Sequence, residues 1–158
     1  MIDAVLKTMH LLSIIVWIGG MVFSHFFLRP AVSQLEPPLR LRLMHDVLGR
    51  FFRAVLALAL LAVASGVWML GRVAKQVVQS GGSFQMPWAW SVMAALGVAM
   101  LLVFLYIRFA LYRRLTQAVA ASDWPAGGVA MAQIRLWVAI NLGLGSVILL
   151  VTLLGGPG

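Results

Sequence analysis

Four apolar stretches divide the chain, each long enough to cross a bilayer as a helix, which takes roughly 20 mostly apolar residues. The first runs from about Val5 to Leu28, interrupted by Lys7, His10, Ser13, Ser24 and His25. The second, about Phe51 to Leu70, is broken only by Arg53 and Ser65. The third, about Pro87 to Ile107, carries no charge, and the fourth, about Leu136 to Leu154, holds Asn141, Ser146 and Thr152. Hydrophobic residues make up 63% of the 158 and charged residues 10%. A soluble domain is about 45–50% apolar and about 25% charged, so soluble globular and disordered classes are excluded. The expected fold is all-α: a four-span antiparallel up-down helical bundle forming a single membrane domain over residues 1–158.

The breaks between the stretches agree with this reading. Pro30 should stop the first helix near its end. Pro37 and Pro38 suit the first turn of a new helix. Beyond them Leu43, Met44, Val47, Leu48 and Phe51 repeat at a helical period, which predicts an amphipathic interfacial helix over about 38–50 leading into the second span. Gly81–Gly82 reads as a turn, and Asp123, Trp124 and Pro125 as cap, interfacial aromatic and N-terminal proline ahead of the fourth helix. Small residues should mark helix contacts: Gly20 and Ser24, Ala62 and Gly66, Gly143 and Gly145.

The net charge of +8 does not indicate nucleic acid, because the basic residues flank apolar runs and form no continuous face. Nine of the twelve (Arg29, Arg40, Arg42, Arg50, Arg53, Arg108, Arg113, Arg114 and Arg135) group at the first and third connections. Lys7, Arg72 and Lys75 group at the other end. The positive-inside rule places the nine in the cytoplasm and both termini outside. No small-x-small cleavage site follows the first run, so the first span is expected to be retained. The bilayer is the expected partner.

Ionisable groups inside a span are costly and mark sites. Projected down the first helix, Trp17, Met21, Ser24 and His25 fall within about 60° of His10, with Ser13 at the edge of the stripe. That face should point into the bundle. His10 and His25 stand fifteen residues apart, roughly 22 Å along a helix, so they belong to an outer and an inner level. At the outer level His10 is the candidate metal ligand, with Met93, Met69 and the nearby Met86 as thioethers. Imidazole with thioether suits Cu(I), and the same pair can ligate a haem iron. Methionines at such positions also serve simply as packing. At the inner level His25, Arg29, Arg53, Arg108 and Arg135 could receive lipid headgroups, haem propionates or another anion, or be an ordinary basic flank. His45 falls off the apolar stripe and is expected at the solvated surface. Asn141 is expected to bridge helices or to touch a bound group. With no cysteine there is no thiolate site. No carboxylate pair, Ser-His-Asp set or phosphate loop is present.

Several ordered motifs carry a resemblance. Lys7 and His10, Trp17 with Gly19–Gly20, Ser24–His25, Leu28 to Pro30, Leu48 to Arg53, Ser65–Gly66, Tyr112 to Leu115, Asp123 to Pro125, and Gln133–Arg135 through Asn141 and Gly143 resemble short four-span members of the CopD (copper-resistance protein D) family. A more distant likeness, through Lys7 and His10, is to HemJ-type membrane protoporphyrinogen oxidases, although no Glu follows Asn141. The CopD resemblance implies copper handling in the bacterial inner membrane, with copper as cargo and a copper-carrying or electron-transfer protein as partner. The alternatives are a b-type haem redox protein, which would be a haem-dependent membrane oxidoreductase, and a non-catalytic subunit of a larger complex.

Overall fold

A computed structural model describes residues 2–154, and all regular structure in it is helical. The expectation that both termini face outward concerns Met1 and residues 155–158, which lie outside the described residues. Helix α1 (Ile2–Val22) passes through a π-helical turn (Phe23–Leu28) into α2 (Arg29–Val32). Helix α3 (Pro37–Gln79) follows. Helix α4 (Trp88–Tyr106) passes through a second π-helical turn (Ile107–Leu111) into α5 (Tyr112–Ala120), and α6 (Trp124–Leu154) closes the chain. The result is four rods, each long and apolar enough to cross a membrane.

Local chemistry sets the rod ends. Pro37 and Pro38 open α3 where an amide hydrogen would have no partner. The amphipathic stretch near 38–50 leads into the second span without a break, giving 43 residues of helix, roughly 64 Å. Gly81 ends α3 in a left-handed conformation at φ 81°, and the Gly82 amide reaches back to the Val77 carbonyl at 3.0 Å. Asp123 caps α6, its Oδ1 accepting from the Ala126 amide at 3.0 Å. Pro30 does not end its helix at once. It lacks the amide hydrogen that would bond to the Phe26 carbonyl, and the adjoining π turn absorbs that mismatch, so helix persists to Val32.

Side chains outside the core are those a bilayer would cover. Leu11, Ile15, Phe27, Leu60, Leu102 and Leu150 are among many large apolar residues exposed on the rods. Trp68 and Trp88 are also exposed, at the end opposite the arginines, where an interfacial aromatic belt belongs. The chain is a multi-pass membrane protein.

Inside, α1 lies along α3 and α4 along α6, while α5 closes on α3 and α6. An aromatic chain joins three rods: Trp17 meets Phe104 at 5.7 Å, Phe104 meets Phe52 at 6.1 Å, and Phe52 meets Tyr112 at 5.5 Å, all edge-on. The expected small-residue contacts hold at Gly20, which receives the Phe51 ring, and at Gly145, where a Cβ would lie 3.1 Å from Ile18 Cδ1. Gly143 is a correction. It is exposed, and nothing lies within 4 Å of where its Cβ would be. Two residues from Gly145, it falls on the opposite side of α6.

Candidate functional site

The polar stripe predicted on the first helix does face inward. Ser13, Trp17 and Met21 are buried, and His10, Ser24 and His25 are half-buried. Its two histidine levels have different surroundings.

At the level away from the arginines, His10 lies against α3. Its Nδ1 is 2.9 Å from the Ala62 carbonyl oxygen and 3.1 Å from Ser65 Oγ. Ser65 is buried, and its hydroxyl lies 2.7 Å from the Leu61 carbonyl, to which it donates. A carbonyl oxygen can only accept, so Nδ1 carries a proton. In the neutral ring Nε2 therefore keeps a lone pair, and no partner bonds it among the described residues. The ring packs over Gly66, where a Cβ would stand 3.4 Å from His10 Cε1, an ordinary van der Waals contact. A backbone acceptor on one ring nitrogen that frees the other is the usual support for a metal-binding histidine.

The thioethers are distributed unevenly. Met69 sits one turn along α3 from Ser65, on the same face and half-buried. Met93 packs against the core from α4, in the α4–α6 pair rather than the α1–α3 pair that holds His10. Among the described residues, no group of three or more His, Cys, Asp or Glu side chains comes together as a metal cage.

At the arginine-rich level, His25 sits in the first π turn. It lines a narrow crevice with Ser24, Arg29 and Arg135 that adjoins a cleft of about 230 Å³. Arg29, Arg40 and Arg135 line that cleft. The predicted cationic rim is thus divided. Arg53 donates from Nε to the Gly49 carbonyl at 3.3 Å, and Arg108 lies over the Phe109 and Tyr112 rings. Neither lines the cleft.

Two expectations need correction. His45 is not a solvated surface residue. It stacks on Tyr112 at 5.1 Å and 4°, its Nε2 is 3.0 Å from Thr116 Oγ1, and the Tyr112 hydroxyl donates to the His45 carbonyl at 3.0 Å. The cause is α5, whose Tyr112 and Thr116, one turn apart, close over the polar side of α3. Asn141 does not bridge helices through its carbonyl. Only 1% of the residue is exposed, yet Oδ1 has no hydrogen-bond partner. It shares the inner row of α6 with Ile134, Val138, Gly145 and Ile148, none of which has a side-chain donor.

Sequence reasoning missed Arg40 as a cleft residue and the Ala62–Ser65–Gly66 seat as a unit. Its signal was nonetheless present: Ser65 and Gly66 are a hydroxyl and a gap at mid-span, opposite an intramembrane histidine. The two π turns left no such signal apart from Pro30.

A family model described as CopD, Copper resistance protein D, matches residues 45–154, from near the start of α3 to the end of α6. No curated protein and no solved structure matches the chain.

Proposed function

The chain belongs to the copper resistance protein D family, and from that premise we propose that it handles copper at the bacterial inner membrane, taking Cu(I) at His10. The supporting observation is the seat of that histidine. Nδ1–H is committed to the Ala62 carbonyl at 2.9 Å, and the ring packs over Gly66, so Nε2 is presented as a nitrogen donor. Cu(I) is soft and accepts imidazole with thioether. Met69, one turn away on the same face of α3, is the first thioether partner, and Met93 on α4 the second. His25, about 22 Å further along the rod, is a second station for the ion. The positive-inside rule puts His10 near the periplasmic surface, where a copper-carrying protein would meet it. The family match begins at His45, so the reading of His10 rests on its own geometry.

The test is Cu(I) binding by the detergent-purified full chain, in competition with a chromogenic Cu(I) chelator, beside oxidised and reduced absorption spectra. The parent should bind Cu(I) without a Soret band. His10→Ala should lose at least about tenfold in affinity, roughly the 1.4 kcal/mol that a factor of ten represents. Met69→Leu should lose less, as one of two thioethers. Unchanged binding in His10→Ala would remove the site. A Soret band that shifts on reduction and vanishes in His10→Ala or His25→Ala would replace copper by haem b as the bound group.

A further inference from the structure

The cleft at the arginine-rich end is lined by three guanidinium groups to which Cu(I) binding at His10 assigns no role. Arg29 comes from α2, Arg40 from the start of α3 and Arg135 from α6, so three rods each bring a guanidinium to one opening. No carboxylate lies among the lining residues. None of the three arginines has an ion pair or a side-chain hydrogen bond among the described residues. Of the other arginines at this end, Arg42 lies over Trp124, Arg53 donates to the Gly49 carbonyl and Arg108 lies over two rings, while Arg50, Arg113 and Arg114 are exposed and line no cleft. The floor is apolar, made by Val32, Leu41, Met44 and Met131. Gly128 and Ala132 on α6 leave the opening clear of long side chains. Three uncompensated cations above an apolar floor, at the level where Arg29 and Arg135 flank two spans, are complementary to a headgroup phosphate rather than to a freely hydrated ion.

We propose that this cleft seats the phosphate and glycerol of an anionic phospholipid from the arginine-side leaflet, its phosphate held between Arg29, Arg40 and Arg135. The volume of about 230 Å³ takes the headgroup end, and the acyl chains remain in the bilayer beside the rods. Arg29 and Arg135 are exposed and meet the phosphate from two rods, whereas Arg40 is half-buried and closes the inner side. A lipid held this way joins α2, α3 and α6 where their charges would otherwise repel. The cleft lies at the opposite end of the rods from His10, but Arg29 and Arg135 also line the His25 crevice; the lipid titrations contain no copper, so failure of the lipid site and failure of the copper reading are told apart.

The experiment uses the delipidated full chain in a neutral detergent. It is titrated separately with short-chain phosphatidylglycerol, short-chain phosphatidylcholine and inorganic phosphate, with thermal stability and retained mass by native mass spectrometry as readouts. Phosphatidylglycerol should stabilise the chain and remain bound, and the other two should do neither. Arg29→Gln with Arg135→Gln should weaken that binding by roughly tenfold or more, since each basic contact near an anionic surface is worth about a factor of five. Arg113→Gln with Arg114→Gln removes the same charge from exposed positions on α5 and should leave binding unchanged. Equal losses in the two double variants would reduce the effect to general electrostatics and overturn the site. Equal stabilisation by inorganic phosphate would assign the cleft to a free anion instead. No preference for phosphatidylglycerol over phosphatidylcholine would overturn it outright.

Discussion

At the scale of single residues, glycines and one amide show how closely the rods are matched. Gly49 faces the Tyr112 hydroxyl, and a Cβ at that position would collide with it and stand 3.3 Å from Cζ. Alanine would gain about 0.5–1 kcal/mol of helix propensity but pay overpacking of about 1–3 kcal/mol, because Tyr112 is pinned by its bond to the His45 carbonyl. Gly49→Ala should therefore lower the thermal midpoint in detergent. Tyr112→Phe alone should cost about 1 kcal/mol for the lost hydrogen bond. The double variant should cost less than the sum, since the colliding atom is gone; strict additivity would show that the two side chains do not meet. Asn141 is the opposite case, a polar group without a visible reason. A buried carbonyl oxygen left unpaired costs about 1–3 kcal/mol, so Asn141→Leu should raise stability or leave it unchanged, with Cu(I) affinity as in the parent. A drop in Cu(I) affinity in that variant would instead give Asn141 a part in the site.

At the scale of elements, the rods are longer than the hydrocarbon they cross, and their surplus is concentrated at the arginine-rich end. There the start of α3, all of α5 and the start of α6 pack together, through His45 on Tyr112 and Arg42 on Trp124. This extension depends on a tight connection of residues 121–123, in which Ser122 takes a left-handed φ of 55° and Asp123 caps α6. Asp123→Ala should cost about 1 kcal/mol, seen as a lower thermal midpoint, whereas Asp123→Ser should retain most of the stability because a hydroxyl can still accept from the Ala126 amide. An unaffected midpoint in the alanine variant would mean that packing alone sets the start of α6. The sequence made the four apolar runs, their caps and the inward stripe of His10, Ser13, Trp17 and Met21 legible, because hydropathy and helical period are local properties. It also exposed His10 as a candidate. It hid the fate of His45 and the division among the arginines, since both depend on which rod folds back onto which. The helical start of α6 at Trp124 was legible in the Asp123–Pro125 cap, although the apolar run itself was expected only from Leu136.

At the scale of the whole molecule, charge asymmetry and the two sites define a direction. Nine of twelve basic residues gather where the lipid cleft opens, and His10 stands toward the end that carries Trp68 and Trp88. If the positive-inside rule governs, copper arrives from the periplasm and the anionic headgroup comes from the cytoplasmic leaflet. Orientation can be read without touching the termini. A reporter active only outside the inner membrane, inserted at Gly82 in the connection between α3 and α4, should be active. The same reporter inserted at Ser122, between α5 and α6, should be silent, and a cytoplasm-only reporter should give the reverse pattern. Both insertion points lie in turns, one at each end of the bundle, so the pair checks the crossing of α4 and α5 as well as the orientation. Activity at both points would mean that this rod does not cross. An inverted pattern would place His10 toward the cytoplasm, and copper would then enter from inside the cell, with the basic cleft facing the outer leaflet against the usual charge rule.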